Sequence, residues 1–272
     1  MLSSFSVYLT KKGFIIKNII ITKMIHANVV SRDEWLKARI ELLKKEKDHS
    51  YARDELTHAR QAMPWVKVEK DYLFDGPTGK EHLRDLFSGK SQLIVYHFMF
   101  DNDWEEGCKS CSFLSDHYNS SVVHIANRDV NLVTVSKASL DKIEKFKKRM
   151  GWKFKWVSSA NSDFNQDFHV SFTEDEIKNN KVYYNFQENT TFPVKEAPGI
   201  SVFIMDKENG EIYHTYSAYA RGLENFIGAY HLLDIVPKGR DEDDLSYGME
   251  WVRHRDRYDD KNFINSYTTK DK

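Results

Sequence analysis

Apolar and polar positions form several distinct patterns along the chain, and the first clear one begins at Ser31. Ser31 stands three residues before Glu34, which is the spacing of a helix capping box, and Pro64 marks where such a helix ends. Between them the apolar positions are sparse, and the stretch KKEKDHSYARDE over residues 44–55 is almost entirely polar. This pattern predicts a long, half-exposed helical arm over residues 29–64.

Two nearly continuous apolar runs predict buried strands: QLIVYHFMF over residues 92–100 and VNLVTVS over residues 130–136. Such runs are typical of strands that are covered on both faces of a parallel sheet. A helical pattern follows each run, the first ending at about residue 124 and the second covering residues 137–151, where Gly151 caps the C-terminus. The order strand, helix, strand, helix predicts a parallel core with right-handed crossovers.

Shorter patterns lie on either side of these two units. Residues 65–74 alternate and predict one strand, while residues 80–90 predict one or two helical turns. Residues 152–186 are less regular, with short strands near Trp156 and in KVYYNF, and we interpret them as an insertion at one edge of the sheet. The sequence therefore predicts additions around the core rather than a second core.

The C-terminal third begins with a predicted hairpin over residues 198–219, which turns at the residues KENG. A last helix is predicted from about Arg221 to Asp234. The charged tail that starts at Pro237 carries several aromatic residues, so we expect its first part to pack on the domain and its end to fray. We divide the chain into a poorly structured extension (1–28), a helical arm (29–64), a main domain (65–236) and a C-terminal extension (237–272).

Composition and charge restrict the function classes. The chain has 272 residues, with 40 Lys and Arg against 41 Asp and Glu, and its net charge of -1 does not attract nucleic acid or anionic lipid. The N-terminal residues lack both an apolar run long enough to cross a membrane and the ordered zones of a secretory signal. We predict a cytoplasmic protein with no nucleic-acid or membrane partner, whose translation starts at Met1 or Met24.

The candidate chemistry lies in the segment YHFMFDNDWEEGCKSCSF, which holds both cysteines of the chain, Cys108 and Cys111. Two cysteines in a chain of this length do not make a disulfide framework, so any role of theirs is local. The pair is compatible with a redox dithiol, with part of a Cys/His metal site, or with two inert buried thiols.

Several stretches resemble known proteins. The element order, with Cys-X-X-Cys directly after the first core strand, resembles the thioredoxin fold, and residues 74–98 resemble the opening of the peroxiredoxin and thiol-reductase branch. Longer phrases, among them VSRDEWLKAR, MPWVKVEKDYLFDGP, GCKSCSF, RMGWKFKWVSS and HTYSAYARGLE, resemble an uncharacterised bacterial family of thioredoxin-like proteins from about residue 29 to residue 258. The resemblance implies a thioredoxin-like α/β fold: a central mixed sheet flanked by helices, with a long N-terminal helix, an insertion after the second strand-helix unit and a C-terminal extension.

The family resemblance implies this fold and not a particular reaction. In a thioredoxin-like arrangement, however, the Cys-X-X-Cys pair predicts a thiol-disulfide oxidoreductase that needs no cofactor and acts on a protein or small-molecule disulfide. Cys108 would begin the helix, where free amides favour its thiolate, and Cys111 would resolve the mixed disulfide one turn later. Trp104 stands four residues before Cys108, whereas thioredoxins have a tryptophan immediately before the first cysteine. Lys109 and Ser110 replace the Gly-Pro of thioredoxin, and a cation at Lys109 would lower the pKa of Cys108 further.

Two more site residues follow from the resemblance. Pro198 precedes a strand at the position where thioredoxin-like proteins carry a cis proline that faces the dithiol, with Pro193 as a competing candidate. Arg221 begins the last helix near the same face, where it would bind an anion or a substrate carboxylate, or else form a surface salt bridge.

Neighbouring residues have structural and functional interpretations. We interpret His97 as a core side chain rather than a base. We expect Asp101 and Asp103 to shape the loop, with proton acceptance from Cys111 as the alternative role for either carboxylate.

Three other functions are weighed against the redox hypothesis. The residues before Cys108, which include Trp104 and Glu105, lack the Pro-X-X-X-Thr/Ser-X-X-Cys motif of peroxiredoxins, so peroxidase activity is disfavoured. A copper-chaperone-like site would need a distant histidine, and the candidates are His97, His117, His124, His169 and His214. In the third alternative the chain is a non-catalytic interaction module whose helical arm offers a surface for a homodimer.

Overall fold

The computed structural model describes residues 29–259. The expectations for residues 1–28, for the choice between Met1 and Met24, and for the end of the tail concern parts of the chain outside the described residues. Contacts within the chain define one compact unit that ends at Ala62 and a second that begins at Met63.

The first unit contains one long helix, α1, over Arg32–Gln61. Its predicted capping box is confirmed: the Ser31 hydroxyl accepts a hydrogen bond from the Glu34 amide at 3.3 Å, and the Glu34 carboxylate accepts one from the Ser31 amide at 3.0 Å. This pair satisfies free amides of the first turn, which explains why the helix begins at that residue.

The second unit holds ten strands and six α-helices within the described residues. The strands are Val66–Lys67 (β1), Leu73–Gly76 (β2), Gly79–His82 (β3), Gln92–His97 (β4), Val130–Ser136 (β5), Lys155–Ser158 (β6), Val182–Tyr184 (β7), Gln187–Thr190 (β8), Gly199–Met205 (β9) and Ile212–Tyr219 (β10). The helices are Lys109–Tyr118 (α2), Val122–Ala126 (α3), Leu140–Met150 (α4), Phe164–Asp167 (α5), Glu174–Lys178 (α6) and Gly228–Leu233 (α7), with 3-10 helices over Leu83–Phe87 and Ala220–Phe226.

Eight of these strands form one mixed sheet in the order β1-β10-β9-β4-β5-β6-β2-β3. Strands β4, β5 and β6 are parallel, and β9 and β10 continue the sheet in antiparallel fashion beyond β4. Helices join the parallel strands as crossovers, as the sequence predicted. This topology is a thioredoxin-like fold, with a long N-terminal helix, an insertion after β6 and a C-terminal extension.

Strand β4 is central because it is apolar on both faces. Leu93 and Val95 are fully buried on one face of the sheet, where they pack against the first 3-10 helix and the start of the insertion. Tyr96 and Phe98 are buried on the other face, among the residues of α2 and α4. Because alternate residues of a strand point to opposite faces, an unbroken apolar run fits only a strand that is covered on both sides.

Two details of the sheet differ from the sequence prediction. The segment predicted as one strand over residues 65–74 instead contributes to two short strands, β1 and β2, which pair on opposite sides of the sheet, because the polar residues Glu69, Lys70 and Asp71 interrupt the alternation. The strand near Trp156 belongs to the central sheet and not to the insertion, since β6 pairs in parallel with β5. Trp156 and Val157 are both fully buried, one in the cluster on each face, which a strand at a solvent edge does not allow.

The insertion therefore runs between β6 and β9. It contains α5, α6 and a small two-stranded sheet of β7 and β8, and it encloses a separate apolar cluster around Val170, Phe172 and Tyr184.

The predicted last helix is divided into two pieces. A 3-10 helix over Ala220–Phe226 is followed by α7, and Ile227 between them has a non-helical backbone, with φ -104° and ψ 87°. The chain after α7 has no further α-helix up to residue 259, yet it packs on the domain through the buried side chains of Val252 and His254. No helix within residues 29–259 combines the length and the hydropathy that crossing a lipid bilayer requires.

Candidate functional site

The loop after β4 returns the chain to the carboxyl end of that strand before α2 begins. The Cys108 amide donates a hydrogen bond to the Met99 carbonyl at 3.1 Å, which closes the loop. Gly107 lies beneath two aromatic rings, so a Cβ atom there would be 2.7 Å from a Phe98 ring carbon and 2.8 Å from one of Phe146. Because glycine has no side chain, the backbone at Gly107 packs closely against the two rings, and this packing holds Cys108 at the end of the sheet.

Cys108 is the N-cap residue of α2, with φ -54° and ψ 132°, and its carbonyl accepts the Ser112 amide at 2.9 Å. Its side chain is partly exposed and carries a free thiol. A hydrogen bond from the Cys111 thiol, the backbone amides of Cys111 and Ser110, and the charge of Lys109 together lower the pKa of Cys108 to about 7. The Cys108 thiol is thus the more acidic of the pair.

Cys111 lies one helical turn later, 3.8 Å from Cys108, and is 2 % exposed. Burial raises the pKa of Cys111, as does the hydrogen bond that its thiol makes to Cys108. The Tyr96 hydroxyl and the Met99 amide also contact the Cys111 sulfur and act in the opposite direction on this pKa. The two thiols therefore differ in both acidity and access.

A cavity of about 330 Å³ opens beside the two cysteines. Its walls come from β4, α2, the second 3-10 helix, α7 and the C-terminal extension. The lining residues are Tyr96, Met99, Cys108, Ser110, Cys111, Leu114, Pro198, Ala220, Arg221, Leu223, Glu224, Ile227, Tyr230, Glu242, Gly248 and Met249.

Five of the predicted site residues line this cavity: Cys108, Cys111, Ser110, Pro198 and Arg221. The Arg221 guanidinium donates to the Glu224 carboxylate at 3.1 Å, and its side chain is 88 % exposed. The surface salt bridge considered for Arg221 is therefore present.

Trp104 and Lys109 are not among the lining residues. Trp104 is half-buried against the aromatic core, and its carbonyl accepts a hydrogen bond from the Lys142 Nζ atom at 3.0 Å. The Lys109 Nζ atom donates to the Glu250 carbonyl at 2.9 Å, so this side chain is directed to the C-terminal extension. The positive charge of Lys109 makes only a minor contribution to the lowered pKa of Cys108.

The predicted cis bond at Pro198 is wrong, and so is its alternative at Pro193, because residues 29–259 contain no cis peptide bond. The Ala197 amide donates to the Val170 carbonyl at 2.9 Å, and Gly199 already pairs with His97 in the sheet. The chain thus enters β9 in an extended course, which the more stable trans isomer allows.

Sequence reasoning missed three groups of the site: Tyr96, Tyr230 and the segment from Glu242 to Met249. Tyr96 could have been identified from the sequence, because alternate residues of a strand point to the same face of the sheet. Tyr96 and Phe98 share the face that packs against α2, the helix that carries Cys111. Nothing in the local pattern of the tail indicates that Glu242 and Met249 line a cavity with Cys108.

The five candidate histidines, all of which lie within the described part of the chain, do not complete a metal site with the two cysteines. His97 lies on the other face of the sheet, where its Nε2 atom is 2.9 Å from the Ser201 hydroxyl oxygen, and burial lowers its pKa to about 3. The His117 ring bonds to the Phe113 carbonyl and to the Ala229 amide. Among residues 29–259 there is no group of three His, Cys, Asp or Glu side chains that could hold a metal ion.

Asp101 and Asp103 lie in the loop before the dithiol. The Asp101 carboxylate accepts the Asp103 amide at 2.9 Å, which is a turn contact within this loop.

Several solved structures are similar to the chain at low identity. A cysteine-to-serine mutant of PrxQ from Xylella fastidiosa is 13% identical, with 60% of this chain and 89% of that chain covered and a TM-score of 0.37. Peroxidoxin BcpB from Mycobacterium tuberculosis is 12% identical, with 63% and 96% covered and a TM-score of 0.40. A mutant of peroxiredoxin Q from Xanthomonas campestris is 12% identical, with 60% and 91% covered and a TM-score of 0.38.

No curated protein matches the sequence. The family described as "Bacterial protein of unknown function (DUF899)" matches residues 24–258, which is most of the 272-residue chain. The resemblance to an uncharacterised bacterial family is therefore confirmed. The chain belongs to this family of bacterial proteins of unknown function.

Proposed function

We propose that this protein is a thiol-disulfide oxidoreductase in which Cys108 attacks a disulfide and Cys111 resolves the product. One observation carries the proposal: a partly exposed cysteine at the start of α2 has a second cysteine 3.8 Å away and an open cavity beside both. Inert core thiols need neither the access nor the asymmetry in pKa that this pair has.

In the first step the Cys108 thiolate attacks one sulfur of a disulfide substrate. A bond forms between Cys108 and that sulfur, the substrate bond breaks, and the second substrate sulfur leaves as a thiolate that takes up a proton. With a pKa of about 7, a large part of Cys108 is ionised at neutral pH. The amides of Ser110 and Cys111 stabilise this thiolate without a cofactor.

In the second step Cys111 attacks the Cys108 sulfur, which releases the first half of the substrate as a thiol and leaves an internal disulfide. Cys111 loses its proton in this step, and the hydrogen bonds from Tyr96 and Met99 favour its thiolate. The dithiol gives two electrons to the substrate, so one disulfide is reduced as another forms. Regeneration of the dithiol needs an external thiol reductant.

The test is a single-turnover reaction of the fully reduced protein with a small neutral disulfide such as hydroxyethyl disulfide. The wild type is expected to form an internal disulfide that mass spectrometry detects after alkylation of the remaining thiols. Cys108→Ser is expected to abolish the reaction, because Cys111 is buried and its thiol stays protonated. Cys111→Ser is expected to accumulate a mixed disulfide on Cys108.

Reaction of both variants at the wild-type rate would refute the proposal, and so would a wild type that never forms the internal disulfide. Circular dichroism of each variant provides the folding control. Since serine is close in size to cysteine, we expect both variants to fold.

A further inference from the structure

We infer that the cavity beside Cys108 binds small, uncharged and largely apolar disulfides, and that it disfavours anionic ones. This inference rests on the proposed dithiol function and adds to it the chemical class of the substrate. It follows from three properties of the cavity: an apolar wall, charged groups that are already paired, and a small volume.

The wall nearest the cysteines is apolar. Leu114, Leu223 and Ile227 are buried aliphatic side chains of the lining, and Met99 and Met249 contribute thioether side chains. Thioethers adapt to ligands of varied shape, and a wall of this kind gains free energy when apolar surface leaves water. Leu114 belongs to α2, which begins after the N-cap residue Cys108 and contains Cys111, so its apolar side chain lies in the same wall as the two cysteines.

The charged side chains of the lining are engaged with one another or with neighbours. Glu224 accepts hydrogen bonds from Arg221 at 3.1 Å and from Arg240 at 3.1 Å. Arg240 also pairs with Asp234 at 2.7 Å, and its guanidinium lies 3.9 Å from the centre of the Tyr230 ring. Arg221, the cation that residues 29–259 contribute to the lining, therefore already has a carboxylate partner.

Glu242 is satisfied within the protein as well. One carboxylate oxygen accepts the Tyr230 hydroxyl at 2.9 Å, the Met249 amide at 3.0 Å and the Trp251 indole N–H at 2.5 Å. Among the described lining residues, Glu242 and Glu224 are the two carboxylates and Arg221 is the cation. A substrate carboxylate in the cavity would lose its hydration and find the Arg221 guanidinium already paired with Glu224, which is unfavourable.

The volume limits the size of the substrate. Sites for drug-sized ligands usually span about 300–1,000 Å³, and this cavity, at about 330 Å³, is at the lower end of that range. It has room for one small apolar group on each reacting sulfur. A low-molecular-weight disulfide with compact, uncharged substituents fits this space.

The experiment compares two matched probes in single-turnover oxidation of the reduced protein: neutral dithiodipyridine and its dicarboxylated analogue, dithiodinicotinate. The reaction of each probe with mercaptoethanol corrects for intrinsic reactivity. After this correction the neutral probe is expected to react about tenfold faster or more, the equivalent of about 1.4 kcal/mol. A corrected rate ratio of one, or one in favour of the dicarboxylate, would overturn the inference.

A variant that introduces a positive charge tests whether the preference arises in the cavity. Met249→Lys places a cation in the cavity wall, and it is expected to raise the rate with the dicarboxylate selectively. Val123→Lys is the matched control, because Val123 is 62% exposed on α3 and is not part of the lining. An equal change of the rate ratio in both variants would show that overall charge and not the cavity sets the preference.

The two proposals fail in different ways. If neither probe oxidises the dithiol, the proposed function fails and the substrate class with it. If both probes oxidise it at equal corrected rates, the redox function stands and the preference for apolar disulfides is wrong.

Discussion

At the residue scale, the chemistry of the site depends on the different surroundings of two identical side chains. Cys108 accepts a hydrogen bond from the Cys111 thiol and meets backbone amides at the start of α2, and together these lower its pKa to about 7. Cys111, one turn deeper, is 2 % exposed, and burial raises its pKa. The Tyr96 hydroxyl lies beside Cys111 and partly offsets this effect of burial.

We therefore predict that Tyr96→Phe slows the resolving step. Removing a hydrogen bond to a thiolate disfavours that thiolate by about 1.5 to 3 kcal/mol, so the mixed disulfide on Cys108 should decay at least about tenfold more slowly at neutral pH. The pH at which decay is half-maximal should move upward, since the pKa of Cys111 rises further. Rapid acid quenching followed by mass spectrometry measures the decay.

Tyr118→Phe is the control for the loss of a buried hydroxyl on the same face. The Tyr118 hydroxyl contacts the hydroxyls of Ser115 at 3.1 Å and Thr134 at 2.6 Å. If both variants resolve the mixed disulfide at one rate and with one pH profile, Tyr96 has no specific role in resolution.

At the element scale, the position of Cys108 depends on the loop between β4 and α2. Gly107 is covered by the rings of Phe98 and Phe146, which themselves contact Trp152 and Trp156. These rings cannot move aside without disturbing the whole aromatic cluster. The backbone before Cys108 is held by packing that only a glycine at position 107 permits.

Gly107→Ala is predicted to reduce the free energy of unfolding by about 2 kcal/mol, as overpacking of a core does. It should also move the pH midpoint of Cys108 alkylation upward, because the thiol shifts away from the amides of α2. Urea unfolding and iodoacetamide kinetics measure the two effects.

Gly89→Ala is the comparison, since Gly89 has φ +79° and its added methyl group would meet no atom within 4 Å. Backbone strain alone should cost about 1 kcal/mol there and leave the alkylation profile of Cys108 unchanged. Identical alkylation profiles for both variants would contradict the role assigned to Gly107.

At the scale of the whole molecule, distant segments meet around the site. The Glu106 carboxylate accepts hydrogen bonds from Arg149 of α4 at 2.8 Å and from Arg257 of the C-terminal extension, and it lies 3.3 Å from the His254 ring. The His254 ring also lies 2.8 Å from the Gly107 carbonyl oxygen. These contacts join the loop before Cys108, α4 and the extension in one network, which brings Glu242 and Met249 to the cavity.

The pH dependence of stability is a property of the whole molecule to which two buried groups contribute with opposite sign. Burial lowers the pKa of His97 to about 3, so its contribution to stability is present above its unfolded value of 6.5 and is lost as the pH falls toward 3. Burial raises the pKa of Glu196 to about 8, so its contribution is present below its unfolded value of 4.5 and is lost as the pH rises through 8. Of these two groups, only Glu196 makes the free energy of unfolding depend on pH between pH 6.5 and 8.

Glu196→Gln is therefore predicted to flatten the stability curve above pH 6.5. Between pH 6.5 and 8 the free energy of unfolding of the wild type should fall by at most about 1.4 kcal/mol per pH unit relative to that of the variant. The amide keeps a partner for the Ser171 hydroxyl, which now donates to Glu196 at 2.6 Å. Urea unfolding across the window measures the difference.

Glu174→Gln is the control, because the Lys195 ammonium lowers the pKa of that exposed carboxylate and it does not titrate near neutral pH. Parallel stability curves for the wild type and Glu196→Gln would refute the assignment of a neutral carboxyl at position 196.

The sequence by itself determined those features that are encoded locally. The capping box at Ser31, the doubly covered strand β4, the crossover helix that ends at Gly151 and the three-residue spacing of the cysteines all follow from patterns shorter than one element. Such patterns state which side of an element is apolar, and that is enough to predict a parallel strand-helix core. The thioredoxin-like fold itself was implied by the resemblance to known proteins.

Only the tertiary structure decided which surfaces meet. Four features depend on contacts between different segments of the chain. They are the contact of Tyr96 with Cys111, the position of β6 inside the sheet, the trans bond before Pro198 and the place of Met249 in the cavity lining. A periodic pattern shows that a face must be buried but not which partner buries it, because hydrophobic burial is non-directional. The partner is chosen by the packing of the whole chain, and in this protein that choice shapes the space in which the two thiols act.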